Sequence, residues 1–525
     1  MNISTKLSDI EWLHDFAIES QDCDHVINLF IESGVPCNTD QLVLSVVMYR
    51  LIKEQEEKVD RDVISKVKTY NPVEKYKLGD VLTFPVSRHF DGEIQKIRQG
   101  YNPNFSNFEV VEIICSDNVT RSFVHGMQDD FFVDLQVNVD ANLEKLAKQI
   151  VEESEIDIAD KIVSGLAEFR DLICLSDFWF PLDLLLEIDD GYLNLVEAVL
   201  DIADGQPLST IEILERIDFS NNSDQELLVF SLNYVLNNDN RFEDVGPSGK
   251  VLWFLTSMKP PELVEVDNYL LCQKIDVSNE RLSSSMQSLV NVLSDEFSLP
   301  SKPVDEFDKS ASIILIYPHL RAGTLPLNQS TSMIFPSALV SPRVKMTLID
   351  KHTGASYPGW VMQKDRFVWG LEQLYQKYGV VAGTRISIEA GNNLDEVTIN
   401  INIRKPVKEW VKTIIVDGRK VQFEMKNREI GVDCLDESLI CVDDISLLDK
   451  FCHRLLEGEF SLEDLVDNCF RALKVLMPQG NVHAVTLYCA INIIVRVVPE
   501  AVFAILENNS NYIHVGDAYW RYEVN

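Results

Sequence analysis

Val397-Thr398-Ile399-Asn400-Ile401-Asn402-Ile403-Arg404 is the stretch on which the reading of this 525-residue chain turns. Its apolar and polar residues alternate without a break. Val397, Ile399, Ile401 and Ile403 therefore face one way, and Thr398, Asn400, Asn402 and Arg404 the other, the period of a half-buried strand. Upstream, Arg343, Lys345 and Thr347 alternate in the same way with Val344, Met346 and Leu348. The two runs predict β-structure with an apolar inside and a wet, partly cationic outside, spread over Arg321 to Met425. Downstream, VDGRKV (416–421) carries an Asp-Gly pair suited to a two-residue hairpin turn.

Charge singles out the same region. The formal net charge is −36, a field that repels nucleic acid and anionic lipid alike. Between Arg321 and Ile430, however, 16 Lys and Arg stand against 10 Asp and Glu, whereas between Asp140 and Asn240 the count is 5 against 23. A phosphate-binding part belongs in the first of these stretches. The length exceeds one hydrophobic core and predicts about three to five domains. Ten cysteines are scattered without a CxxC pair, which argues for buried thiols in a reducing compartment. The opening residues lack the basic start and apolar run of a signal peptide, and no apolar window is long enough to span a bilayer. The expectation is a cytoplasmic protein without membrane contact.

Taken in order, the chain predicts an α+β multidomain protein. Residues 1–70 read as a helical module, with Val26, Ile27, Phe30 and Ile31 at helical spacing. Residues 71–136 read as short strands, with Gly79-Asp80 opening one and Asp91-Gly92 marking a tight turn. The segment 140–265 is acidic and helical, and Phe178-Trp179-Phe180-Pro181 is expected to anchor a turn. Within it come a helix near 193–203, Thr210 as the cap of a second, a third from about Gln225, and a hairpin over Gly246-Pro247-Ser248-Gly249. That is the winged-helix order. Its third helix carries Asp224 and Glu226, with Asp239 following and no Lys or Arg before Arg241, so protein docking is expected of it. Residues 266–312 supply a helix and the linker SLPSKPVDEFDKSAS (298–312). A β-unit follows at 313–441, and a last helical domain at 442–525 ends in YIHVGDAYWRYE (512–523) as a terminal wing.

Three resemblances accompany this reading. GD-V-L-F, G-E-I-x-x-I and R-S-F at 73–127 resemble the small Tudor-like barrel with which transcription-repair and helicase-associated modules grip RNA polymerase. The patterns at 191–255 and 460–525 resemble HARE-type winged helices. VKMTLID, GASYPGWVM and FVWGLEQLYQKYGVVAGTRISIE, within 313–404, resemble the DNA-binding pseudobarrel of plant auxin-response-type factors and restriction-enzyme recognition domains, with Thr384 where that family has Asp. The last resemblance implies duplex DNA as a ligand and makes Arg343, Lys345, Lys364 and Arg366 the candidate contacts. The first implies a protein partner, RNA polymerase being the one suggested. Together they suggest a bacterial transcription setting.

Chemistry is sparse by comparison. GxSxG, HExxH, GxxxxGKS and GxGxxG are absent. Asp417, Glu424 and Lys426 spell the D…ExK lettering of a Mg²⁺-dependent nuclease, in which two carboxylates hold the metal and the lysine orients water. His483 and His514 sit beside apolar residues, the setting of a hydrogen-bonded core histidine. The expectation is therefore a non-enzymatic adaptor of nucleic-acid metabolism without a cofactor or metal. A restriction-type nuclease and a purely structural scaffold are the alternatives.

Overall fold

The structure is a computed structural model that describes Trp12 and residues 16–64, 67–70, 74–84, 90–100, 109–115, 120–126, 143–152, 158–169, 171–217, 219, 224–273, 282–298, 309–338, 341–391, 393–417, 420–457 and 461–523. The chain divides into two compact units, residues 1–188 with 221–234, and residues 189–220 with 235–525. Helices and strands are mixed in both. Among the described residues no helix is long and apolar enough to cross a membrane.

In the first unit, helices Ser20–Ser33 and Thr39–Ile64 pack Val26, Phe30, Leu42, Val46 and Val47 into one core with Ile150, Ile158 and Ile162. A buried pair fastens them: Arg50 donates to both Asp22 oxygens, at 2.7 and 2.5 Å. Phe178–Pro181 is a strand and not a turn. It pairs with Leu172–Leu175 and with Cys37–Asn38, and buries Trp179 and Phe180, with Phe30 edge-on to Phe180 at 5.5 Å. Strands Val67–Thr69, Val81–Phe84, Phe90–Gln99, Glu109–Cys115 and Thr120–His125 neighbour one another in chain order around Tyr76, Leu82, Ile94, Val111 and Ile113. The turn expected at Asp91-Gly92 is absent, because Gly92 is paired on both sides, with Leu82 and with Cys115. The turn at Gly79 is present, with φ at 86° and Asp80 accepting from the Lys77 amide at 2.9 Å.

The second unit begins with helices Asp190–Ile202 and Thr210–Arg216 and the hairpin Phe242–Asp244/Trp253–Leu255. Residues 221–234, most of the expected third helix, group with the first unit instead. Ser209 and not Thr210 caps the second helix: it exchanges hydrogen bonds with Glu212, whose carboxylate accepts the Ser209 amide at 2.8 Å. Thr210 is buried and accepts from the Trp253 indole at 3.1 Å. Gly246 is required where it stands, since a Cβ there would lie 1.9 Å from the Lys250 carbonyl oxygen.

The centre of this unit is a seven-stranded sheet in the order Ser310–Ile314, Arg385–Ala390, Glu396–Ile401, Arg343–Asp350, Ser356–Met362, Phe367–Trp369, Thr324–Pro326. Arg343–Asp350 and Glu396–Ile401 pair in parallel and the other neighbours antiparallel. Val344, Met346, Leu348, Ile386, Ile388, Val397, Ile399 and Ile401 fill its core as their alternation predicts. Two expectations need correction here. Residues 310–312, read as linker, already belong to the first of these strands; residues 299–308 lie outside the described ones. Ile403 does not continue the buried row and is 51% exposed, because the chain leaves this sheet after Ile401 and begins a second one. That second sheet joins Lys420–Val432, Ile403–Asp417 and Ile440–Val442. Helices Ile445–Glu457, Leu462–Lys474, Ala484–Ile494 and Pro499–Asn508 follow, with the antiparallel strands Tyr512–Gly516 and Tyr519–Tyr522 last. Ala484–Ile494 is buried on every side, which its unbroken apolar run predicts.

Candidate nucleic-acid interface

Strand Arg343–Asp350 buries every second residue and leaves Arg343, Lys345 and Thr347 half-buried. Their face is covered by the hairpin of residues 242–255. Val245, Leu252 and Phe254 pack there with Trp360, Met362 and Phe367, and Phe254 meets Trp360 edge-on at 5.3 Å. Arg343 Nη1 donates to Glu243 Oε1 at 2.8 Å. Lys345 donates to the Gly205 carbonyl, with its ammonium 4.9 Å from the Phe254 ring centre and 5.8 Å from that of Trp360. Burial lowers its pKa below the ordinary lysine value. These two cations are therefore occupied by protein.

Lys364 and Arg366 lie apart from them, in the exposed turn between strands Ser356–Met362 and Phe367–Trp369. Arg366 has φ at 58° and donates from Nη1 to the Glu296 carbonyl at 2.8 Å. The four candidates thus divide into two pairs with different surroundings. Thr384, standing in the place of an Asp, closes its own turn: its hydroxyl donates to the Val381 carbonyl at 2.6 Å and accepts the Val381 amide at 3.1 Å.

The second sheet holds the more open cationic surface. Ile403–Asp417 and Lys420–Val432 form a long antiparallel ribbon, with a register shift between Ile403 and Val407 around Pro406. Both of its faces carry buried residues, Val411, Ile430 and Val432 on one and Ile414, Val421 and Phe423 on the other, each set packed in a separate core. Ile440–Val442 pairs only with Lys412–Ile414, so residues 403–411 have a sheet neighbour on one side alone among the described residues. Lys408, Trp410 and Lys412 alternate along the face that Ile414 and Phe423 continue into the core, opposite Glu429, Asn427 and Met425. Trp410 is 66% exposed. Of the other six tryptophans, 179, 253, 360 and 520 are buried and 12 and 369 half-buried. Lys412 donates to the Asp436 carbonyl at 2.9 Å and Arg404 to Glu409 at 2.8 Å. Lys405 and Lys408 are exposed, with no ion pair among the described residues.

No family model, curated protein or solved structure matches this chain. The surface has to be read from its own chemistry. An exposed indole two residues from the exposed Lys408 offers a π-face for a base and a cation for its neighbouring phosphate, while Lys412 is held by the Asp436 carbonyl. Sequence reasoning passed over it although the signal was present: Lys408-Glu409-Trp410-Val411-Lys412 is a strand alternation with an aromatic at its centre.

The D…ExK lettering resolves into ion pairs. Lys426 Nζ lies 2.7 Å from Glu424 and 2.6 Å from Asp443, and Arg428 also pairs with Asp443. Asp417 pairs with Lys420 at the far end of the ribbon, four residues along the strand from Glu424, roughly 13 Å away at strand rise. Its side chain lies outside the described residues. Among the described residues no three His, Cys, Asp or Glu side chains gather as a metal site. His483 accepts the Val485 amide at 3.3 Å and caps the following helix, and burial lowers its pKa. His514 is exposed and 5.0 Å from the Trp520 ring.

Proposed function

We propose that this protein is a non-enzymatic adaptor that holds single-stranded nucleic acid on the ribbon of residues 403–432. The observation that carries the reading is Trp410, the one tryptophan left exposed, two residues along the strand from the exposed Lys408. A strand of bases stacks on the indole while the exposed Lys405 and Lys408 meet phosphates. Lys412, half-buried and donating to the Asp436 carbonyl with its pKa lowered by burial, is occupied by protein as Lys345 is. The net charge of −36 makes such binding weak and confines it to this face. Arg343 and Lys345 drop out of the contact set that the pseudobarrel resemblance implied, and duplex binding loses two of its four cations. Protein docking, with RNA polymerase as the partner the small-barrel resemblance suggests, is the second half of the adaptor reading.

The test is fluorescence and gel-shift titration of the full chain with single-stranded and duplex oligonucleotides across a salt series. Single strands quench Trp410, and the logarithm of the affinity falls with the logarithm of salt with a slope of about −1.4 if Lys405 and Lys408 meet phosphate. Trp410→Ala weakens binding by about five- to a hundredfold. Tighter binding of duplex, or a Trp410→Ala variant that binds like the parent, overturns the single-strand reading. Cleavage of the oligonucleotide with Mg²⁺ that is lost in Glu424→Ala supports the nuclease alternative instead.

A further inference from the structure

A second site lies away from the ribbon. A cavity of about 530 Å³ opens in the second unit between the end of helix Ser284–Leu293, the segment 295–298, the loop 327–332 and the turn carrying Gln363 and Arg366. Its volume falls in the range of small-molecule sites. Ser294, Asn328, Ser330 and Gln363 make its wall polar.

Two acids line its inner side, and both are engaged by protein. Asp295 Oδ2 receives Arg496 and the Tyr488 hydroxyl, each at 2.6 Å, and its Oδ1 receives the Phe297 amide at 3.0 Å. Glu296 Oε1 receives Arg496 at 2.7 Å and lies 3.2 Å from His319 Nε2, whose Nδ1 is 2.8 Å from the Thr324 hydroxyl. All of these side chains are buried. Burial alone would raise the Glu296 pKa, but the Arg496 charge and His319 hold it below the ordinary value. A buried acid pair with a buried arginine makes a fixed floor, and its lone pairs are largely spent.

Arg366 is different. It is exposed, its guanidinium carbon stands 5.8 Å from the Phe297 ring centre, and it spends one donor on the Glu296 carbonyl. A guanidinium has five N–H donors in a planar fork that matches a carboxylate or phosphate. Its backbone is also held in the left-handed region, at φ 58°, as is that of Ser294 across the cavity, at φ 48°. Ser294 adopts it as the cap that closes helix Ser284–Leu293, its amide donating to the Val290 carbonyl at 2.9 Å, so the strain that bears on the cavity is that of Arg366.

We infer that this cavity binds a small organic oxyanion, a carboxylate or a phosphate monoester, with Arg366 as its charged anchor and Ser294, Ser330 and Gln363 as polar partners. The site is separate from the ribbon and does not rest on the nucleic-acid reading. The test is thermal unfolding of the full chain with millimolar inorganic phosphate, succinate and adenosine monophosphate. At least one probe raises the midpoint, and the pattern among the three tells a carboxylate site from a phosphate site and a bare anion from a nucleotide. Arg366→Gly abolishes that response, read against the variant's own unliganded midpoint, in which relief of the left-handed backbone offsets the lost bond to the Glu296 carbonyl. Lys408→Ala and Trp410→Ala leave the response intact. The inference fails if none of the three probes shifts the parent protein, or if the shift survives in Arg366→Gly.

Discussion

Strand Arg343–Asp350 and the ribbon strand Ile403–Asp417 carry the same lettering with opposite outcomes. Arg343-x-Lys345-x-Thr347 and Lys408-x-Trp410-x-Lys412 both repeat at period two along one face of a strand, the first on the face away from its sheet's core and the second on the face that Ile414 carries into the core further along. On the first, a hairpin brings Glu243 and Phe254 down over the cations. On the second, nothing among the described residues covers Trp410, which stays 66% exposed. Period two fixes the side of a strand on which a residue stands. Whether that side meets water is decided by whatever packs there, and for Arg343 the covering element lies a hundred residues away in sequence.

The contrast is broken most sharply at Lys345. Lys345→Glu would place an unpaired carboxylate near the Gly205 carbonyl and against the faces of Phe254 and Trp360, where a negative charge is repelled. The expected cost is about 3 kcal/mol, read from the denaturant midpoint. Affinity for single strands, measured per folded molecule, should not change. A loss of affinity at unchanged stability would put Lys345 back among the contacts.

Next comes Asp350, at the end of the same strand. It is buried and receives Lys377 at 2.7 Å, Thr353 at 2.6 Å, Tyr378 at 2.8 Å and the His352 amide at 3.0 Å. Burial works to raise its pKa, but these donors outweigh it and hold the carboxyl well below the usual range. A depressed carboxyl pKa contributes stability that is present above the unfolded value near 4 and is lost as pH falls through the folded one. The parent chain should lose stability below about pH 4. Asp350→Asn should be less stable by about 2 kcal/mol at pH 7 and show a shallower acid slope. An unchanged slope would mean that another acid carries it.

Arg343→Ala should cost less, about 1 kcal/mol, because its side chain is half-exposed and Glu243 keeps Lys259 as a second partner. Chemical denaturation measures it, and a cost as large as that of Lys345→Glu would show that the hairpin is fastened by this pair.

These cases mark how far the sequence could be read. The alternation at 343–350 and 397–401, the hairpin joining Val416 to Val421, the buried helix at 484–494 and the terminal strands were legible because each is set by neighbours within a few residues. Strand Phe178–Pro181 was misread because an apolar run ending in proline suits a turn as well as the end of a strand, and Cys37–Asn38, one of the two strands it pairs with, is distant in sequence. The cavity left no local signal. Its floor joins Asp295, His319, Tyr488 and Arg496, which come together only when the helix at 484–494 is buried against the segment before the central sheet. The excess of cations at 321–430 shows where positive charge is concentrated and not which of it is covered: Arg343 and Lys345 lie under the hairpin, and Lys405 and Lys408 are exposed.

The smallest effect on stability belongs to the ribbon, and it is also the most discriminating. Lys405 and Lys408 are exposed and have no ion pair among the described residues, so Lys405→Glu with Lys408→Glu should change stability by no more than about 0.5 kcal/mol per site. Reversing two charges that face phosphate should nevertheless remove most of the affinity for single strands at low salt and flatten the salt dependence. Lys345→Glu is expected to do the reverse, lowering stability and sparing affinity. If both variants behaved alike, the distinction between a covered and an open cationic face would fail, and the ribbon would be one more solvated strand on an acidic protein.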